Sequence, residues 1–169
     1  MPAALLLPRP SNGPDGMRTA MNAALVISEI GDDDVAAVVD LWTRAGLTRP
    51  WNDPQADIAF ARASAEATIL VGRETAGGPI VASVMVGHDG HRGTVYYVSV
   101  DPDRQGAGLG RAIMAAAEDW LKARGVWKLN LMVRTDNAAV AEFYRSLGYT
   151  LEERLNFARW IDPSKKPSA

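Results

Sequence analysis

The chain contains no cysteine, which excludes disulfides, thiolate metal sites and a thiol nucleophile together. Histidine is nearly missing: His88 and His91 are the only two, too few to build a histidine-rich metal centre. A basic excess is also lacking. Lys and Arg number 18 against 20 Asp and Glu, giving a net charge of −2 and a pI near 5.7. Nothing in that balance would neutralise a phosphate backbone, so nucleic acid is not an expected partner. No apolar run approaches the roughly 18 residues of a membrane span. The stretch Ala3 to Leu7 has no basic residue before it and is too short for a secretory signal. These absences together predict a cytoplasmic protein with no metal and no membrane partner.

What remains is an ordinary globular composition, 47% hydrophobic and 22% charged over 169 residues, enough for one domain with its own core. Residues 1–22 are rich in Pro, Gly and Asn and read as a flexible N-terminal extension, with Met17 and Met21 as alternative starts. The folded domain is expected over 23–162, followed by a loose tail over 163–169.

Within that domain the periodicity predicts a strand at Leu25 to Ile30, then a helix capped by Asp32 and stopped by Gly46. The loop Thr48-Arg49-Pro50-Trp51-Asn52-Asp53-Pro54 leads into a second helix from Gln55 to Ser64. Three strands follow, Ala67 to Arg73, Ile80 to Gly87 and Thr94 to Val100, with Gly77-Gly78-Pro79 as a hairpin signal. A glycine-rich turn then runs directly into a helix ending before Gly125. Val126 to Val133 reads as a strand, Asn137 to Leu147 as a helix, and Tyr149 to Ile161 as a terminal hairpin. Trp42, Trp120 and Trp127 fall on element faces and read as core. The order β-α-α-β-β-β-α-β-α-β-β implies one mixed, mostly antiparallel sheet with helices on both faces.

A strand, a glycine turn and a helix start form a device for holding anions. Glycines let successive N–H groups converge, and the helix dipole places about half a positive charge at the same point. The spacing of Gly106, Gly108 and Gly110 rejects two common uses. A P-loop needs Gly-Lys-Ser/Thr, whereas Gly110 is followed by Arg111-Ala112; a dinucleotide fingerprint needs G-x-G-x-x-G after an early strand. A nucleotide-binding protein of unrelated chemistry therefore has no support.

Val98-Ser99-Val100-Asp101-Pro102-Asp103-Arg104-Gln105-Gly106-Ala107-Gly108-Leu109-Gly110 closely resembles the acetyl-CoA motif of the GNAT N-acetyltransferases, Q/R-x-x-G-x-G/A after a strand. Downstream, Asn137 through Phe143-Tyr144 to Leu147-Gly148-Tyr149 resembles the second motif of that family. The loop from Leu47 to Pro54 and the turn Gly87-His88-Asp89-Gly90-His91-Arg92-Gly93 resemble its YpeA branch. The likeness spans residues 24–161.

That resemblance implies a sheet whose two central parallel strands, bearing Val98 and Val133, splay into a V that admits the pantetheine arm of acetyl-CoA. It implies direct transfer of the acetyl group to a primary amine of a small molecule or peptide, with no covalent acyl-enzyme. The Val98 N–H would face the acetyl carbonyl and the Val100 N–H would hold the arm. The N–H groups of Gln105, Gly106, Ala107, Gly108, Leu109, Gly110 and Arg111 would cradle the pyrophosphate. Asn137 would bond the arm, and Tyr144, about two turns further along one helix, would protonate the departing thiolate.

The general base stays open. Ribosomal-protein N-acetyltransferases of the family often carry a glutamate where Met132 stands here. Asp53, His88, Asp89 and His91 are the candidates, the last three also readable as a solvated turn closed by Asp89. Arg49, Trp51 and Asn52 are candidates for the acceptor site, through a substrate carboxylate or phosphate at Arg49 and a pocket wall at Trp51; the alternative is loop ordering, with Trp51 buried against the first helix. A non-catalytic acyl-CoA-binding sensor would keep the same fold, and a homodimer is an open expectation because many relatives dimerise.

Overall fold

The computed structural model describes residues 24–166; the N-terminal extension lies outside the described residues. Five strands form one sheet in the order β1 (Val26–Glu29), β2 (Ala67–Arg73), β3 (Ile80–His88), β4 (Gly93–Val100) and β5 (Leu129–Asn130). All neighbours are antiparallel except β4 and β5. A parallel pair needs a crossover, here the helix α3 (Leu109–Lys122). Helices α1 (Val35–Arg44) and α2 (Pro54–Arg62) precede β2, and α4 (Ala138–Ser146) follows β5.

Strand alternation decides which helix meets which face. Ile69 and Val71 point from β2 into a cluster with Val38, Leu41 and Trp42 of α1 and Ile58 of α2. Leu70 between them points the other way, into a cluster with Ile113, Met114 and Leu121 of α3 and Val140 and Tyr144 of α4. The sheet is thus covered on both sides, which accounts for the near-continuous burial of β2 and β3. Capping fixes where the helices begin. Asp53 accepts from the N–H groups of Gln55 and Ala56 at the start of α2, with Pro54 in the first turn. Asn137 Oδ1 accepts from Val140 N–H, 3.2 Å away, at the start of α4.

Three expectations from the sequence differ from what folds. The strand expected over Val126 to Val133 is reduced to Leu129–Asn130, because β4 supplies a ladder only at Gly93 and Thr94. Beyond Asn130 no ladder pairing continues among the described residues, and an unpaired strand is not a stable unit. The terminal hairpin over Tyr149 to Ile161 does not form either: Leu151, Leu155, Phe157 and Ile161 are exposed. Trp127, expected in the core, is 81% exposed at the approach to β5, with the Arg92 guanidinium over its ring. Trp42 and Trp120 are buried as expected.

The end of β4 is anchored by a buried carboxylate. Asp101 accepts from Arg44 of α1 at 3.0 Å, from Arg104 at 2.9 Å and from the Asp103 N–H at 3.1 Å. Burial pushes its pKa up, but the Asp103 N–H and the two guanidiniums outweigh that and hold it below the ordinary value. Asp101→Asn is expected to cost about 2 kcal/mol, read as a lower urea midpoint at neutral pH. The sign of the pH effect follows from the depressed pKa. The contribution is fully present above the unfolded value and disappears as pH falls through the folded one, so the acidic limb of the stability curve should flatten in the variant.

Candidate active site

The site grows from one irregularity in β4. Ser99 pairs with Ser83 and Tyr96 with Met85, so Tyr97 and Val98 together oppose Val84 alone. This is a β-bulge, in which the extra residue leaves the ladder and the strand bends. Tyr97 takes φ +49°, the positive-φ non-glycine residue among the described residues. The bulge sends neighbouring side chains to opposite faces. Tyr97 stacks on Trp42 with ring centroids 4.0 Å apart and planes 7° from parallel. Val98 is fully buried on the other face, in the same cluster as Tyr144 and Leu109.

β4 bends there, while β5 stays paired to it only at Gly93↔Leu129 and Thr94↔Asn130. From Val95 to Val100 the β5 side of β4 has no strand partner, and the two parallel strands splay into a V. On the α3/α4 face two features stand out. The first is the glycine turn. Gly106 and Gly108 both hold φ +83°, and Gly108 is the N-cap of α3 in the left-handed region. It offers no side-chain cap, and the first intrahelical bond runs from Ala112 N–H to Gly108 C=O. The N–H groups of the first turn, Leu109 to Arg111, therefore point out of the helix end toward whatever anion arrives. A Cβ at Gly108 in this conformation costs about 1–2 kcal/mol. Gly108→Ala is therefore expected to lower the urea midpoint of unfolding by an amount corresponding to about 1 kcal/mol.

The second feature is Tyr144. Its side chain is 3% exposed, yet its hydroxyl has no hydrogen-bond partner, alone among buried side-chain polar atoms of the described residues. Phe143 and Tyr149 hold the ring edge-on at 5.1 and 5.6 Å. Tyr149 in turn donates to Glu118 at 2.6 Å. Burial pushes the Tyr144 pKa well above the ordinary phenol value, so the proton stays on oxygen across any working pH. Asn137 uses its carbonyl oxygen as the α4 cap, which leaves its amide NH₂ for a ligand. Gly110 lets α3 lie against α4: a Cβ there would sit 3.0 Å from the Phe143 ring.

From the α1/α2 face a cavity of about 70 Å³ reaches the bulge, lined by Arg49, Trp51, Asn52, Tyr96, Tyr97 and Arg134 over a floor of Leu47. Trp51 is half-exposed on its wall rather than packed under α1. Asn52 Nδ2 donates to the Tyr97 hydroxyl at 3.3 Å, and that hydroxyl donates to Asp57 at 2.6 Å. Burial, then the Asp57 bond, pushes the Tyr97 pKa up to about 12. Tyr96, Tyr97, Asp57 and Arg134 were not marked by sequence reasoning. The bulge decides where the two tyrosines point, and nothing in the sequence of β4 signals it.

The other candidates lie elsewhere. Asp53 spends its carboxylate capping α2. His88, Asp89 and His91 sit in the β3–β4 turn, about 16 Å along β4 from Val98 at 3.3 Å per residue. There Asp89 accepts from the N–H groups of His91 and Arg92, and His88 Nε2 meets Glu66 at 2.6 Å. The structure does not bring these three to the cavity. Met132 is partly exposed beyond β5.

A mixed sheet with helices on both faces, a bulged β4 paired to β5 at one end only, and a glycine turn opening α3 define an α/β fold with an open parallel seam. Residues 35–149 match the sequence profile of the Acetyltransferase (GNAT) family. The chain is 44% identical over 121 residues to an acetyltransferase of Sodalis glossinidius, covering 72% of this chain and 84% of that one. It is 47% identical over 117 residues to an acetyltransferase of Pectobacterium atrosepticum, covering 69% and 82%. The chain belongs to the GNAT family and is an N-acetyltransferase. Among solved structures it is similar to the ribosomal-protein-S18-alanine N-acetyltransferase of Escherichia coli, with a TM-score of 0.65, 30% identity, and 82% and 86% of the two chains covered. It shares its fold, at 15% identity and a TM-score of 0.69, with AAC(6′)-Iy in complex with a CoA bisubstrate analogue, covering 81% and 98%. No helix among the described residues is long and apolar enough to cross a membrane.

Proposed function

We propose that this enzyme transfers the acetyl group of acetyl-CoA directly to a primary amine, with Tyr144 as the general acid. The observation that carries the reading is the buried, unpartnered Tyr144 hydroxyl beside the β4–β5 gap. An orphaned buried donor costs stability, about 1–3 kcal/mol, and a group that meets its partner only in the complex accounts for it.

The residues present fit acetyl-CoA. The N–H groups from Gln105 to Arg111 suit the pyrophosphate, and two glycines at positive φ let the backbone close on it. The unpaired β4 edge suits an extended arm, with the Val100 N–H and the Asn137 amide as donors. The thioester supplies an activated acetyl carbonyl and a good leaving group. Val98 N–H, beside the bulge, donates to the carbonyl oxygen as negative charge builds there. Tyr144 delivers its proton to the sulfur as the carbon–sulfur bond breaks, and the proton that the amine nitrogen sheds on becoming an amide restores the phenol through solvent. The amine approaches from the opposite face, through the cavity at Trp51 and Tyr97. The acetyl group and the acceptor thus meet at the bulge from two sides of the sheet, already positioned for attack.

The test is thiol release from acetyl-CoA across free amino acids, peptides, polyamines and aminoglycosides. Turnover with one class supports the reading. Tight acetyl-CoA binding with no turnover on any amine would replace it with that of an acyl-CoA sensor.

A further inference from the structure

The cavity on the α1/α2 face carries a charge pattern that selects among amines. Arg49 lines it from the α1–α2 connection and Arg134 from the segment after β5, so two arginines far apart in the chain meet at one cavity. No carboxylate lines it. Of the acids nearby, Asp57 accepts from the Tyr97 hydroxyl at 2.6 Å, and Asp136 holds Nε and Nη2 of Arg134 at 3.0 Å each. Arg49 has no ion pair among the described residues. Its Nη1 instead donates to the main-chain carbonyls of Gly46 and Thr48, both at 2.8 Å. Those two bonds fix the guanidinium without spending its charge. The Arg134–Asp136 pair is exposed and screened by solvent, so a ligand can share that guanidinium.

We propose, building on the acetyltransferase reading, that the acceptor is a small amine that also carries a carboxylate, an amino acid in the broad sense. The carboxylate lies between Arg49 and Arg134. The chain of the acceptor runs along Trp51 and Tyr96, and its amine reaches the bulge at Tyr97–Val98. Two charge-assisted contacts from planar forks favour a carboxylate over the isosteric amide, and the same guanidiniums repel polycations. A cavity of about 70 Å³ suits a carboxylate on a short carbon chain, and the free small molecule is the acceptor to which the proposal commits.

The experiment is thiol release with α-, β- and γ-amino acids, each paired with its carboxamide. Spermidine, kanamycin and tripeptides with an acidic second residue serve as comparison arms. The expected result is kcat/KM at least tenfold higher for the acid of a productive pair, with the ratio falling toward one in Arg49→Gln and Arg134→Gln, mostly through KM. Preference for tripeptides over every free acid would reassign the carboxylate to a peptide side chain and overturn the small-molecule substrate. An acid-to-amide ratio near one in the wild type, a ratio unchanged in both variants, or turnover confined to spermidine or kanamycin would overturn the inference while leaving the acetyltransferase standing. Failure of the wild type to bind acetyl-CoA in calorimetry would instead defeat the acetyltransferase reading. In that case quenching of Trp51 fluorescence by the acids but not their amides still decides whether the cavity selects a carboxylate.

Discussion

Tyr144→Phe is expected to lower kcat by about 10²-fold or more, with acetyl-CoA affinity nearly unchanged. The substitution removes one oxygen from a 3% exposed ring held between Phe143 and Tyr149. The hydroxyl makes no bond in the free protein, so no partner is stranded and stability should hold or rise slightly. Any loss of rate then reports on the transition state and not on folding. Single-turnover thiol release with saturating acetyl-CoA separates this from slower product release. The pH profile gives a second check. Burial raises the phenol pKa above its ordinary value, so wild-type activity should not decline between pH 8 and 10 through loss of this proton. An unchanged kcat in the phenylalanine variant would remove Tyr144 from the chemistry.

The second large effect is on stability. Trp42→Ala is expected to cost about 4 kcal/mol, measured by urea unfolding, with Tm lowered by roughly 10 °C. Trp42 is fully buried, stacks on Tyr97, and donates through Nε1 to Ser83 Oγ at 2.9 Å. Ser83 continues to Ser99 at 2.8 Å, both hydroxyls lying inside the sheet. Truncation empties a large volume and leaves the serine pair with one donor fewer. It also removes the surface on which the bulge rests. Acceptor kcat/KM should therefore fall at temperatures where the variant is still folded, and acetyl-CoA binding should fall less. A cost under about 1 kcal/mol would mean that neighbouring side chains collapse into the space.

The contrast between these two residues shows how far the sequence could be read. The placement of Tyr144 on a helix packed against the sheet was legible because its neighbourhood, Asn137 to Tyr149, follows a family pattern and an amphipathic period at once. The strands β2 to β4 and the helices were legible from alternation and periodicity, since those signals are local; the cap expected at Asp32 instead opens a short turn, and α1 begins only at Val35. Trp42 was legible as core but not as the support of a bulge. Whether Val84 faces one residue or two across the ladder depends on β3 and β4 together, and no single strand encodes it. The same holds for β5: Leu129 to Val133 has the composition of a strand throughout, but only the course of β4 decides where pairing stops. Arg134 escaped attention because it lies far along the chain from Arg49, and the splay alone brings the two to one cavity. His88, Asp89 and His91 attracted attention by residue type, whereas the topology puts them at the paired end of β4.

The positive φ at Tyr97 bears on how such a site can change over generations. A side chain in that conformation costs about 1–2 kcal/mol relative to glycine. The tyrosine offsets this through its ring on Trp42 and its bond to Asp57. Glycine would relieve the backbone but lose both contacts, and a β-branched residue would add strain while recovering neither. Drift at this position therefore has few single steps open to it. Arg49 and Arg134, on connections outside the strands and helices, can be exchanged one at a time without breaking the sheet ladder. On the proposed reading, a lineage keeping this scaffold can alter which amine it accepts far more readily than where the acetyl group is handed over.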